Sequence, residues 1–441
     1  MTIPKKKIKR RRVMSKRKRM ISMVMSAAMA AGLLAGCAGN APVAETEASA
    51  AAAGEKEIYM FVSCPENADA IANAIEEYKK VAPNITINYE TTQSDYPTLL
   101  KAKMNSGDTP DIFASTGGQE MKAYAEYSYD LSGQPLASSL TDSAKATMTY
   151  EDKLLGIPVI SNAFGMMYNQ ELFDQAGISA MPATFTELEA ACEKLAAAGI
   201  QPFTNGYKEW WVYKYVFQNF IDVASEGDPE ALVQSFIDGT AKVSDYPVLA
   251  ENYFDYVDLT VKYGDAKPLE TDLNAEITAF STGKAAMMTG IGAPMEPSVK
   301  AISPEMKISF CGYQVDENPE HFFIVAGAEQ AYRVNKDSKV LNETLDFLNW
   351  LYCDYGKTWF PEVMNAIPPI GDTPLPNTDV AAALTSFMET REPGVPSAVY
   401  SLDSFHQKFG EIMQSYVAGS KTREEAVKEI EQQWTELGAI E

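Results

Sequence analysis

The chain has 441 residues, 46% of them hydrophobic and 22% charged, the balance of a folded, water-soluble protein with more than one domain. Its 37 Lys and Arg against 60 Asp and Glu leave a net charge of −23, which argues against binding by phosphate neutralisation, so no nucleic-acid partner is expected. Only two histidines are present, His321 and His406, far apart in sequence; no metal centre and no cofactor is expected.

The charge is unevenly spread. Residues 1–36 hold eleven Lys and Arg and no acid; from residue 37 onward, 26 basic against 60 acidic residues give −34. The basic block Lys5–Arg19 is followed by a charge-free apolar run, Met20–Ala35. At 16 residues the run is short for a membrane span and suits the apolar region of an export signal. The polybasic start would hold its own end on the cytoplasmic side. The run closes on Leu34-Ala35-Gly36-Cys37, which resembles the bacterial lipoprotein box. That resemblance implies a lipoprotein signal peptide over 1–36 and acylation of Cys37, palmitate included. The chain would then be anchored to the lipid bilayer on the extracellular or periplasmic side. Met14 is an alternative start. Ala38–Gly54 holds eight Ala, no aromatic residue and little to bury, so 37–54 reads as a flexible tether.

The folded body begins near Glu57. Ile58–Val62 is a short apolar strand. Glu66–Val81 reads as a helix, with Ile71, Ile75 and Tyr78 on one side. Asn84–Tyr89 alternates as a strand does. Tyr96–Asn105 is helical and stops at Gly107, and Asp111–Ala114 is the next strand. Strand–helix–strand–helix–strand predicts an α/β sheet with parallel strands. Leu154–Val159, Phe164–Tyr168, Ala285–Thr289, Met306–Gly312 and Tyr332–Val334 are strand-like. Thr186–Ala198, Trp210–Val223, Pro229–Asp238, Val248–Tyr263 and Lys339–Cys353 are helical. The closing helix, Thr422–Leu437, carries Ala426, Ile430 and Trp434 at spacings of four, with a capping box from Thr422 to Glu425. Beyond Cys37 the cysteines are Cys64, Cys192, Cys311 and Cys353; none makes a metal-binding spacing, and three disulfide connectivities are open.

Five segments in fixed order carry a family resemblance: Gly107-Asp108-Thr109-Pro110-Asp111-Ile112; Gly156-Ile157-Pro158; Met167-Tyr168-Asn169-Gln170-Glu171-Leu172-Phe173 with Ala176-Gly177; Pro182 with Thr184-Phe185-Thr186-Glu187-Leu188; and Phe280-Ser281-Thr282-Gly283-Lys284-Ala285-Ala286-Met287. Together they resemble the family 1, maltose-binding-protein-like extracellular solute-binding proteins of ABC sugar importers, from about Glu57 to the C-terminus. The resemblance implies an α/β, two-lobed, periplasmic-binding-protein-like fold, with the ligand cleft between lobes and a hinge of crossing strands. Lobe one is placed at 55–160 plus 312–365, lobe two at 162–309 plus 366–441. The crossings are placed near Pro158–Ala163 and Ser309–Tyr313. Gly156 and Gly177 are expected to permit turns, and Thr184 to cap a helix with Glu187 three residues on.

In open α/β sheets ligands sit beyond the carboxyl ends of strands. That selects the loops Ser63–Asn67, Thr91–Gln93 and Ser115–Gln119, rich in amides and hydroxyls that suit sugar hydroxyls. The expected ligand-binding residues are Glu66, Gln93, Thr116 and Asn162, with Trp210 and Trp211 as stacking faces for a sugar's C–H surface and Gly292 in the segment after the last motif. Of the adjacent tryptophans, one is expected in the core and one in the cleft, Trp210 resembling the family's cleft aromatic more closely. The family often has a Trp after that motif. This chain has none there, so stacking would come from elsewhere, Phe405 or Tyr400 included. The function implied is non-enzymatic: a monomer that captures a small-molecule carbohydrate, an oligosaccharide by the branch it resembles, and hands it to ABC permease subunits. The alternatives are the same fold binding a peptide or polyamine, and an exported glycan-acting enzyme, for which no catalytic motif is present.

Overall fold

The computed structural model describes residues 54–92 and 95–439. The expected signal peptide over 1–36, Cys37, nearly all of the expected tether and Gln93 lie outside the described residues.

Among the described residues twelve strands are formed: β1 (Lys56–Val62), β2 (Ile85–Thr91), β3 (Ile112–Thr116), β4 (Thr149–Tyr150), β5 (Lys153–Leu154), β6 (Ile157–Pro158), β7 (Asn162–Tyr168), β8 (Gln201–Asn205), β9 (Ala285–Gly292), β10 (Ser309–Cys311), β11 (Val325–Gly327) and β12 (Gln330–Val334). The first sheet runs β2-β1-β3-β12-β6, with β1 parallel to β2 and β3 and with β12 antiparallel to β3 and β6. Parallel strands need long connections, and the helices Ala68–Val81 and Tyr96–Ser106 provide them. Gly107, at φ 79, ends the second helix in the left-handed conformation. The core of this lobe is drawn from residues 58–160 and 328–370.

The second sheet runs β10-β7-β9-β8, and β11 pairs with the first half of β7. Adjacent residues of its central strands serve opposite faces, as the pleat requires. Met166 and Met287 join the larger core, whereas Met167 and Met288 join a smaller one with Phe280, Phe310 and Val380. The larger core also takes the closing helix through Ala426, Ile430 and Trp434. The capping box is formed, with Thr422 and Glu425 bonding reciprocally. The molecule is thus α/β and two-lobed. The strands β8 and β11 and the helices Asp379–Met388 and Asp403–Val417 had no counterpart in the sequence reading.

The first crossing runs through 159–161, between β6 in one sheet and β7 in the other. The second differs from the expectation. Ser309–Tyr313 does not cross: β10 pairs with β7, and Tyr313 and Val315 lie in the second lobe's core. The chain passes back at 328–329, between β11 and β12, so 312–327 stay with the second lobe. A three-residue strand ending on Gly327 is too short to show a period, which is why the sequence places the crossing early. Gly177 does adopt positive φ, at 72. Gly156 does not; a Cβ there would stand 2.9 Å from the Ala331 Cβ, so its role is close packing against β12. Thr184 caps its helix by accepting from the Glu187 N–H. The four described cysteines are free thiols.

Two buried polar assemblies hold these parts in place. Arg333, on β12, is fully buried. Its guanidinium donates to Ser128 Oγ, Ser115 Oγ and the carbonyls of Glu120 and Met121, at 2.8–3.2 Å. Burial lowers it to about 10, so it stays charged at neutral pH. The second assembly joins the lobes. Lys214 Nζ donates to Glu329 at 2.9 Å and Asp403 at 3.4 Å, and the Asp403 N–H donates to Glu120 at 3.0 Å. His406 lies one turn along from Asp403, with its Nε2 2.7 Å from the Ala398 carbonyl. Burial and the Asp403 carboxylate push Glu120 up to about 7. Burial and the Lys214 ammonium hold His406 down to about 4.

Replacing Arg333 with Met removes four hydrogen bonds from the core at once, although Ser115 Oγ and Ser128 Oγ keep their bonds to the Thr116 and Tyr124 carbonyls and the Glu120 carbonyl keeps the Tyr124 N–H. A loss of about 2–5 kcal/mol is expected in urea denaturation. Glu120 and His406 make opposite contributions with pH. His406 is depressed in the fold, so its contribution is complete above pH 6.5 and is lost as pH falls towards 4. Glu120 is raised, so its contribution is complete below pH 4.5 and is lost as pH rises through 7. Relative to wild type, Glu120→Gln should therefore gain several degrees of Tm between pH 4.5 and 7.5. His406→Gln should show its largest relative loss above pH 6.5 and its smallest near pH 4. Parallel melting curves across this range check both.

Candidate functional site

The lobes meet over two adjoining cavities of about 40 Å³ each, both walled by Trp211, Tyr215 and Gln330. At roughly 10–15 Å³ per water, each holds about three waters. The lips touch: the single-turn helix Pro65–Asn67 of one lobe packs against the single-turn helix Ala293–Met295 of the other.

The local structure explains how each side chain gets there. Glu66 and Asn67 stand on the turn immediately after β1. Cys64, just before them, adopts φ 73, a left-handed conformation that a side chain seldom takes. It is held by a contact from its Sγ to Gln330. Thr116 ends β3, Asn162 begins β7 and Gly292 ends β9. A Cβ on Gly292 would stand 2.8 Å from Asn162 Oδ1, so glycine there makes room for the amide. Trp211 opens the helix Trp211–Ala224, and Tyr215 follows one turn on.

The aromatic rings form a continuous wall. Tyr215 stacks on Phe164 at 4.8 Å and meets Trp211 edge-on at 5.7 Å. The Tyr215 hydroxyl donates to Glu329 at 3.0 Å, fixing the ring. The polar atoms are of another kind. Glu66 Oε2, Thr116 Oγ1 and Asn162 Oδ1 beside that wall, and Trp211 Nε1 within it, are shielded from solvent yet meet no hydrogen-bond partner among the described residues. Burial pushes the Glu66 carboxyl up. Such atoms cost about 1–3 kcal/mol each unless a polar group is supplied to them.

Six of the seven expected binding residues can be placed. Glu66, Asn162 and Gly292 line the first cavity, Thr116 and Trp210 the second, and Trp211 both. The seventh, Gln93, falls outside the described residues. Both tryptophans wall the interlobe space, and Trp211 is at the same time part of the second lobe's buried core, so one ring serves core and cleft together. Phe405 does not reach it. It stacks on Trp434 at 4.5 Å inside the second lobe, and Tyr400 packs on that same core. The sequence reading did not find Tyr215, Lys214, Glu329, Gln330 or Asp403. Tyr215 was within reach, four residues after Trp211 on a helix. Glu329 was not, because nothing in its surroundings marks the crossing.

Comparison with known proteins follows the same lines. The family described as bacterial extracellular solute-binding protein matches residues 65–353. A multiple sugar-binding protein of Streptococcus mutans serotype c (strain ATCC 700610 / UA159) is 23% identical over 285 residues, 63% of this chain and 66% of that protein. The melibiose/raffinose/stachyose-binding protein MelE of Bacillus subtilis (strain 168) is 21% identical over 299 residues, 67% of this chain and 69% of that protein. The chain thus spans about two thirds of the length of these curated relatives. Among solved structures, a chitin oligosaccharide binding protein superposes with a TM-score of 0.76 at 19% identity, covering 87% of this chain and 99% of that one. RafE in complex with raffinose superposes with a TM-score of 0.73 at 18% identity, covering 87% and 100%. At such identities the superpositions establish the two-lobed fold. The family match reaches from the turn after β1 into the helical region after β12 and takes in every strand but β1; the chain belongs to the bacterial extracellular solute-binding proteins.

Proposed function

We propose that this chain is the substrate-capturing lipoprotein of an ABC importer, and that its cleft takes a neutral oligosaccharide for delivery to permease subunits in the membrane. The observation that carries the reading is a set of four buried polar atoms without a hydrogen-bond partner among the described residues, drawn from both lobes: three line the cavities beside the wall of Trp211 and Tyr215, and the fourth is Trp211 Nε1 itself. A sugar has hydroxyls that donate and accept, and a C–H face that packs on aromatic rings. It therefore satisfies both halves of the cleft at once. The relatives named for multiple sugars and for melibiose, raffinose and stachyose favour the same ligand class.

A polyamine is less suited. Glu329 is already paired with Lys214, which leaves Glu66 as the one carboxyl in the first cavity without a cation, and burial disfavours its charged form. Capture needs no nucleophile or general base, and the protein would act as a monomer without catalysis. The small cavities imply that the lobes part at 159–161 and 328–329 for a ligand to enter, and close again around it.

Isothermal titration against a panel of di-, tri- and tetrasaccharides tests the reading. Saturable binding of at least one series is expected, and a flat response across the panel would sink it. Trp211→Ala should weaken binding by about 10- to 100-fold, roughly 1.4–3 kcal/mol, with the fold retained. Anchoring is tested separately. Palmitate labelling and membrane fractionation of the expressed full chain should show a lipidated, membrane-bound protein, and Cys37→Ser should abolish the label and release the chain. An unlabelled, unanchored wild type would refute the lipoprotein assignment.

A further inference from the structure

The two cleft cavities are not the largest space between these lobes. A third cavity, of about 290 Å³, is walled by Tyr96, Leu100, Met104, Glu120, Tyr124 and Asp403. It shares Tyr96, Pro97, Ser115 and Asp403 with the second cleft cavity, so it lies directly behind it. At roughly 10–15 Å³ per water it holds about twenty waters, against about three in each cleft cavity.

The walls have a consistent chemistry. The Tyr96 hydroxyl is tied to the backbone at Phe61 and Ala114, so the ring is a fixed wall. Tyr124 packs edge-on against Phe113 at 5.9 Å and adds a second aromatic surface. Two carboxylates line the same cavity, Asp403 shared with the cleft and Glu120 not. Glu120 uses one oxygen to accept the Asp403 N–H, and Asp403 uses one oxygen for Lys214. Each keeps its other oxygen outside those bonds. Rigid rings with acceptors beside them repeat, at larger volume, the composition of the cleft.

We infer that this cavity is an annex of the binding cleft, which takes one or two further ring units of the same oligosaccharide and so selects for ligand length. The inference rests on the sugar-binding reading above and deepens it. The shorter end of the ligand lies on Trp211 and Tyr215. The chain then passes Ser115 and Asp403, and its far end stacks beside Tyr96 and Tyr124 with hydroxyls donating to Glu120 and Asp403.

The test uses the intact folded chain and two series of probes: melibiose, raffinose and stachyose, and chitin di-, tri- and tetrasaccharides. Asn105 and Lys101 are exposed, stand at the annex mouth and lie outside the cleft. Asn105→Trp and Lys101→Trp fill the mouth without touching the core. In wild type the affinity should rise about tenfold or more with length in the series that binds. In both variants that rise should vanish, while the shortest bound member keeps its affinity within about twofold. A wild type indifferent to length, variants that retain the full rise, or variants that lose short and long members equally would each overturn the annex and leave sugar binding standing. A wild type that binds neither series overturns the sugar reading and the annex together.

Discussion

The buried pair between Lys214 and Glu329 is the constraint on which the interlobe geometry depends. Lys214 is 5% exposed and Glu329 2%, so both charges have been taken out of water at a cost of several kcal/mol each. The arrangement repays that only because nothing is left unpaired. Glu329 accepts from Lys214 and Tyr215, and Lys214 reaches Asp403 as well. Glu329 sits on the segment that carries the chain from the second sheet back to the first. The pair therefore pins the Trp211–Ala224 helix to a crossing strand. Trp211 and Tyr215, on the same stretch of helix, inherit their positions from it.

The cleft follows from that placement. Its polar atoms come from the carboxyl ends of β1 and β3, from the start of β7 and from a helix start, places where the backbone has finished pairing and side chains are free to point outward. Each lobe supplies only part of the set. Glu66 and Thr116 belong to the first lobe, Trp211 to the second, and Asn162 stands where the first crossing ends. These atoms form one set only because the lobes are together.

Much of the fold was legible along the chain because its signals are local. The β1–β3 region shows apolar runs, helical periods and a glycine stop within a few residues of one another. The closing helix shows its capping box and its spacing of four. Half of the site was legible for a related reason: Glu66 and Thr116 follow strands, and the strand-end rule finds them without tertiary information. The tryptophans were visible as a cluster, although not that Trp211 would serve core and cleft at once. A ring at a helix start can pack on its own lobe and still present an edge to the neighbouring one. Phe405 and Tyr400 show the opposite error. An aromatic residue late in the chain carries no mark of which surface it will cover, and Phe405 went into the core against Trp434.

The sequence by itself determined the class of the protein. Its alternating strands and helices and its ordered motifs are written in short windows, where propensity and periodicity act directly. It also determined which strand ends would carry polar groups. Only the tertiary structure decided where the chain crosses back. The Val325–Gly327 strand is stabilised by its antiparallel partner rather than by its own residues, and its pairing puts the crossing at 328–329. Tertiary structure alone likewise brought together Lys214, Glu329 and Asp403, residues 115 and 189 positions apart in chain order from the lysine. An ion pair has no sequence period; it exists only once the sheets and helices have excluded water around it.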